Sequence, residues 1–180
     1  MHKHRDGIIG VAIGDMIGVP VEFEWRETLD KDPVVGVREF GVHEQPRGAW
    51  SDDTSLTLAL ADALTKDFAL ETISQNLLDW WQLKKWTSHG YIFDMGERTR
   101  LSLNQLLKIL ELKDYDALEL LHLEATEDTN GNGSLMRILP LYFYLKDKGI
   151  EDNFTTIWQV SALTHPHIRA AISCLVYCIM

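Results

Sequence analysis

Ser51, Asp52 and Asp53 stand together in the segment GAWSDDTSLTLALADAL, with an apolar helical run behind them. Two adjacent carboxylates and a hydroxyl are hard oxygen donors, the set that Mg²⁺ or Ca²⁺ takes and Zn²⁺ does not. The same residues are also a favoured helix start. Ser and Asp accept hydrogen bonds from the free N–H groups of a first turn, and acids there complement the helix dipole. Metal ligation and helix capping both stand as readings at this point.

Other clusters carry chemistry of their own. Asn130-Gly131-Asn132-Gly133-Ser134 leads into the run LMRILPLYFYL. A glycine loop feeding a helix N-terminus offers unpaired N–H groups and a favourable dipole to an anion, and Arg137 one turn in adds a charge. A plain turn is the alternative, since the spacing is neither a P-loop nor a dinucleotide fingerprint. Asp94, in GYIFDMGERTR, either reaches a substrate or caps the helix that contains Leu103 to Leu110. His165 and His167 flank Pro166; with no cysteine nearby, His165 reads as a capping or hydrogen-bonding residue more than as a metal ligand. Glu22, just past Gly18 and Pro20, is an isolated carboxylate at a helix end.

The elements that must position these groups are helices. Leu56, Leu60, Ala63 and Leu64 follow the helical period, as do Ile73, Leu77 and Trp81, then Leu103, Leu106, Leu107 and Leu110, then Phe154, Ile157, Trp158 and Ser161. The expected fold class is all-α, a compact multi-helix bundle in one domain over residues 1–180, with at most a short extended stretch near Val34 to Val37. Gly7, Gly10, Gly14 and Gly18 fall on one face of a first helix that Pro20 ends, a stripe that calls for close approach of another backbone. Residues 28–49 hold two prolines and three glycines and read as a long irregular connection, of the kind that tends to be functional or mobile. Pro166 is placed to open a last helix whose residues AAISCLVYCIM are nearly all apolar, so burial on most sides is expected, along with self-association through it if one face stays bare. This helix has no terminating signal at Met180 and reads as cut short. Cys174 and Cys178, four apart on it, read as packed thiols.

Composition narrows the function classes. A formal net charge of -10 over 180 residues disfavours the attraction to phosphate backbones that nucleic-acid binding needs. The start MHKHR-GIIGVAIG imitates a short secretory signal, but Asp15 and the Gly-Pro signals arrive too soon for a span of about 20 apolar residues. The expectation is a cytoplasmic protein that binds neither membrane nor nucleic acid.

Taken in order, five blocks resemble the ADP-ribosylglycohydrolase family, its N-terminal portion only. They are Gly10-x-x-x-Gly14-Asp15-x-x-Gly18-x-Pro20-x-Glu22, Gly48-x-Trp50-Ser51-Asp52-Asp53-Thr54, Asp94-x-Gly96-x-x-Thr99, Gly131-Asn132-Gly133-x-x-Met136-Arg137-x-x-Pro140-Leu141 and Leu163-Thr164-His165-Pro166. The resemblance implies an all-α fold holding two Mg²⁺ ions and hydrolysis of the glycosidic bond from ADP-ribose to a protein side chain or related acceptor. It implies Ser51, Asp52 and Asp53 as metal ligands, with Glu22 and Asp94 at the reacting end. Gly131, Asn132, Gly133 and Ser134 would face the diphosphate, with Arg137 adding charge, and His165 the adenosine side. The family's second metal-ligand block, Gly-Gly-Asp-x-Asp-Thr/Ser, has no counterpart after Asp152, so the fold lacks its C-terminal part and turnover is impaired. The alternative is a non-catalytic ADP-ribose-binding protein or one half of a split enzyme. The reading requires the acids at 52 and 53 and the turn at 131–133 to face one cavity.

Overall fold

Two apolar stripes at the helical period form the centre of the molecule. Leu56, Ala59, Leu60 and Ala63 on α3 (Asp52–Ala63) are buried, as are Ile73, Leu77, Leu78 and Trp80 on α4 (Leu70–Leu83), and the two helices pack along each other. Each leucine or isoleucine among them contributes roughly 1.5–3 kcal/mol by leaving water, each alanine less. The stripe of α4 buries Trp80 and leaves Trp81 at its edge, which shifts the expected face by one residue. Against α3 lie α1 (Lys3–Gly18) and α7 (Leu139–Leu145); against α4 lie α5 (Glu97–Leu112), α6 (Tyr115–Leu120) and α8 (Phe154–Ala162). The last helix, α9 (Ile168–Ile179), packs on α8, and the short α2 (Arg26–Lys31) sits in the connection before α3. The computed structural model describes residues 3–180, and among these the fold is all-α, with a single bridge between Phe40 and Gln45 in place of any strand. No helix among the described residues is long and apolar enough to cross a membrane.

The outer helices differ from expectation. No residue of α1 is buried, and a Cβ added at Gly10, Gly14 or Gly18 would meet nothing within 4 Å. Close approach is confined to Gly7, where a Cβ would lie 2.8 Å from the Phe143 ring, a side chain and not a backbone. In α9 only Ala170, Ala171, Cys174 and Cys178 are buried, because α8 covers one face; Ile172, Val176, Tyr177 and Ile179 remain exposed. Both cysteines are free buried thiols. His167 caps this helix, its ring accepting the Arg169 N–H at 3.1 Å, so the helix starts at Ile168 and not at Pro166.

The segment 131–138 corrects a larger expectation. Gly133 to Arg137 form turns, and α7 begins only at Leu139, with Pro140 in its first turn. Side chains take carbonyls that a helix would have used: Arg137 Nη1 donates to Gly133 O at 2.6 Å, and Thr57 Oγ1 to Met136 O at 3.3 Å. The loop therefore feeds no helix N-terminus.

Arg137 is correspondingly absent from any ligand surface. It is fully buried, and it donates also to Thr164 Oγ1 at 2.8 Å and Val160 O at 3.1 Å. Burial pulls its guanidinium down to about 10, which leaves it charged at neutral pH. Ser134 is buried too, its hydroxyl accepting from Ser161 Oγ at 2.8 Å. Neither residue is open to a diphosphate; both lock the turn from inside. Arg137→Ala is expected to lower unfolding free energy in urea by roughly 3–5 kcal/mol, because three acceptors lose a charged donor inside the protein. Arg137→Lys should recover little of it, since one ammonium does not reproduce the planar fork.

Candidate active site

The start of α3 is held by a residue from another helix. Asp15, near the end of α1, accepts from Ser51 N at 3.1 and 3.0 Å, from Thr54 N at 3.0 Å and from Thr54 Oγ1 at 2.6 Å. Ser51 caps the helix in the ordinary way, accepting from Asp53 N at 3.2 Å, while its hydroxyl lies 3.2 Å from Asp53 Oδ2. Capping is thus carried by Asp15 and Ser51, and among the described residues no other residue donates to the Asp52 carboxylate. Ser51 is therefore a cap, and the metal reading of Ser51, Asp52 and Asp53 stays open beside it.

Asp52 is 6% exposed, and its carboxyl is pushed up to about 8, first by burial and then by the charges of Asp94, Asp53 and Asp15. Asp53 is raised as well, by burial and by Asp15, against the pull of its bond to Ser51. The two acids open on different spaces. Asp52, Asp94, Trp50 and Trp80 line a narrow slot; Asp53, Asp15 and Glu22 line an open cleft of about 390 Å³, and Ser51 borders both. Gly14 and Gly18 form part of the cleft wall, which gives the glycine stripe its reason: side chains there would narrow the opening. A buried carboxylate bonded only by its own backbone N–H among the described residues, beside a hydroxyl and further acids, is a donor set that fits a hard divalent cation.

Glu22 and Asp94 join this cluster, and His43 comes with them. His43 Nε2 lies 2.6 Å from Glu22 Oε2, and one ligand atom each of Glu22, His43 and Asp94 lie within 4.8 Å of one another. Asp94 does not cap α5, whose N-cap is Gly96 with no side-chain bond. His43 lies in the irregular connection of residues 28–49, whose length was its only sequence signal. Two locks deliver it. At Gly41, φ is +61° and a Cβ would sit 1.9 Å from the Pro20 carbonyl oxygen, so only glycine lets this turn press onto the chain just before Glu22. Gln45, buried, donates to the His43 carbonyl, while its own Oε1 accepts from Tyr91 OH at 2.6 Å and lies 2.9 Å from a His89 ring nitrogen. The 38–45 turn is thereby tied to the segment that ends at Asp94.

The glycine loop stands beside this cluster without entering it. Gly131 and Asn132 are exposed and Gly133 is buried. A Cβ at Gly131 would lie 2.9 Å, and one at Gly133 2.5 Å, from the His165 ring, so the loop rests directly on that imidazole. His165 is 4% exposed, and burial, with Arg137 and Arg98 nearby, pulls it down to about 3, which keeps it neutral. Its Nδ1 lies 2.9 Å from Thr164 Oγ1. The loop also abuts Thr99 in the first turn of α5 and, through Met136, Thr57 of α3. Asp52 opens α3 and Asp94 lies just ahead of α5, yet no residue of 131–134 lines either carboxylate cavity, so the single cavity expected for the acids at 52 and 53 and the turn at 131–133 is not formed.

Residues 1–180 match the ADP-ribosylglycohydrolase family. The chain is 31% identical over 176 residues to the ADP-ribosylarginine hydrolase Tri1 of Serratia proteamaculans (strain 568), a match covering 97% of this chain and 45% of that protein. It is 28% identical over 178 residues to the ADP-ribosylarginine hydrolase Tri1 of Pseudomonas putida (strain GB-1), covering 97% and 44%. It is 26% identical over 171 residues to the uncharacterized protein YegU of Escherichia coli (strain K12), covering 88% and 46%. The chain thus spans about half the length of the curated relatives it matches. With acid cluster, glycine loop and helical scaffold on one chain, the protein belongs to the ADP-ribosylglycohydrolase family.

Proposed function

We propose that this protein takes part in hydrolysis of the bond between ADP-ribose and an arginine side chain, with Mg²⁺ held by Ser51, Asp52 and Asp53. The observation that carries the reading is the Asp52 carboxylate, buried beside Asp53 and Asp94 with no donor from another described residue. Support for arginine as acceptor comes from the relatives' names. A bound Mg²⁺ would supply positive charge to orient ribose hydroxyls and an attacking water.

The chain's own residues supply the rest. Loss of the C1″–N bond builds positive charge on the ribose, and the carboxylates of Glu22, Asp53 and Asp94 form an anionic wall that favours it. Glu22, oriented by His43, accepts the proton of the water that adds to C1″ as the C1″–N bond breaks, and the departing guanidine takes up one proton from solvent while Glu22 later releases its own. Exposed Gly131 and Asn132 offer backbone N–H groups to the diphosphate, and His165 supports them from beneath as a neutral ring. The exposed apolar face of α9 is the surface through which copies would associate.

The test is release of ADP-ribose from ADP-ribosylarginine by the full chain with Mg²⁺, alongside calorimetric binding of ADP-ribose. Asp52→Asn is expected to lower turnover by about 100-fold or more, as loss of a charge-stabilising group does. Binding without turnover would assign the chain the ligand-holding part of the activity alone. Absence of ADP-ribose binding, with or without Mg²⁺, would remove the reading.

Acidity gives a second check. A folded-state carboxyl raised from 3.8 to about 8 binds its proton more tightly when folded, so Asp52 withdraws stability as pH rises through that window. Without divalent cation, melting temperature should fall between about pH 4 and pH 8, and Asp52→Asn should raise it at pH 8 by roughly 3 °C or more. Mg²⁺ should raise the melting temperature of the unaltered chain and not of the variant.

A further inference from the structure

We propose that Glu22, His43 and Asp94 form a divalent-metal site with a nitrogen ligand, suited to a borderline cation such as Zn²⁺ and separate in its ligands from the all-oxygen set at Ser51, Asp52 and Asp53. The proposal goes beyond the hydrolysis proposed above, with which it shares two carboxylates. Its ligand atoms already lie within 4.8 Å of one another. Around one ion, bonds of about 2.0–2.2 Å place ligand atoms roughly 3–3.5 Å apart. Small movements meet this: the His43–Glu22 contact of 2.6 Å opens, and Asp94 closes in. Glu22, with 39% of its side chain exposed, has room to adjust, whereas His43, at 12%, is fixed.

Donor chemistry sets the preference. An imidazole with two carboxylates favours Zn²⁺ and its transition-metal neighbours, while Mg²⁺ asks for oxygen throughout and keeps its waters. The surroundings also call for a cation. Asp52, more than nine-tenths buried and with no donor from another residue among those described, shares the slot with Asp94. Among the described residues no Lys or Arg pairs with Glu22, whose one ionic partner is His43. A bound Zn²⁺ occupies the lone pairs of Glu22 and Asp94 that the hydrolysis uses, so such an ion inhibits.

The experiment is calorimetric titration of Zn²⁺ into the full chain in excess Mg²⁺, with Co²⁺ absorption as the spectroscopic counterpart. One equivalent is expected to bind, weakened about tenfold or more by His43→Gln and by Asp94→Asn, and unchanged by His122→Gln in the 121–124 turn, outside the cluster. The glutamine at 43 keeps a donor for Glu22 and so preserves the fold, which a melting curve verifies; Glu22→Gln gives the same reading should it not. Zn²⁺ binding that ignores these substitutions, or no binding over Mg²⁺, overturns the proposal. Absence of ADP-ribose binding would instead strike the hydrolase reading and leave the Zn²⁺ titration as it is.

Discussion

Negative charge that its own protein does not neutralise governs this molecule. Asp15, Asp52 and Asp53 converge where α1 meets the start of α3, and Glu22 and Asp94 close in from two loops. Asp15 spends its charge on the N–H groups of α3, which makes it structural. Asp52 has no such outlet. Burial and like charges this close raise the cost of ionisation, so the Asp52 carboxyl keeps its proton up to about pH 8 unless a cation takes its place.

A second constraint keeps the cluster in register. Glu22 follows a helical turn at the end of α1, Asp94 follows an irregular segment, and neither has a helix of its own to fix it. The connection between α2 and α3 does so instead. Glycine at position 41 presses one end of this connection on Pro20, and Gln45 ties the other to Tyr91 and His89. His43 is carried between them to Glu22. Positive φ at Phe40 and Glu44 marks a backbone held in sparsely populated conformations by these contacts, a condition that persists only where surroundings over-determine it.

The glycine loop obeys a different logic. Its anchor is a fully buried arginine whose donors go to a loop carbonyl, a helix carbonyl and a threonine hydroxyl. The charge stays inside because hydrogen bonds to oxygen replace its hydration. Its field, with burial, keeps the neighbouring His165 neutral, and that ring supports the two glycines. The loop, exposed at Gly131 and Asn132, thus gains a rigid floor without presenting a cationic side chain.

The sequence alone determined the helical class, the packed thiols at Cys174 and Cys178 and the family, because period and ordered short motifs are local properties of the chain. Tertiary structure decided which acid is left without a partner, since Asp15 reaches α3 from 36 residues away and takes the N–H groups that the acids at 52 and 53 would otherwise cap. It decided that Arg137 and Ser134 face inward, which the spacing of a glycine loop does not specify. It brought His43 to Glu22 across 21 residues of irregular chain, where no periodicity exists to read. Local pattern fixes what a segment becomes; which side chains meet across segments depends on the packing of surfaces distant in sequence, and the chemistry here lies in those meetings.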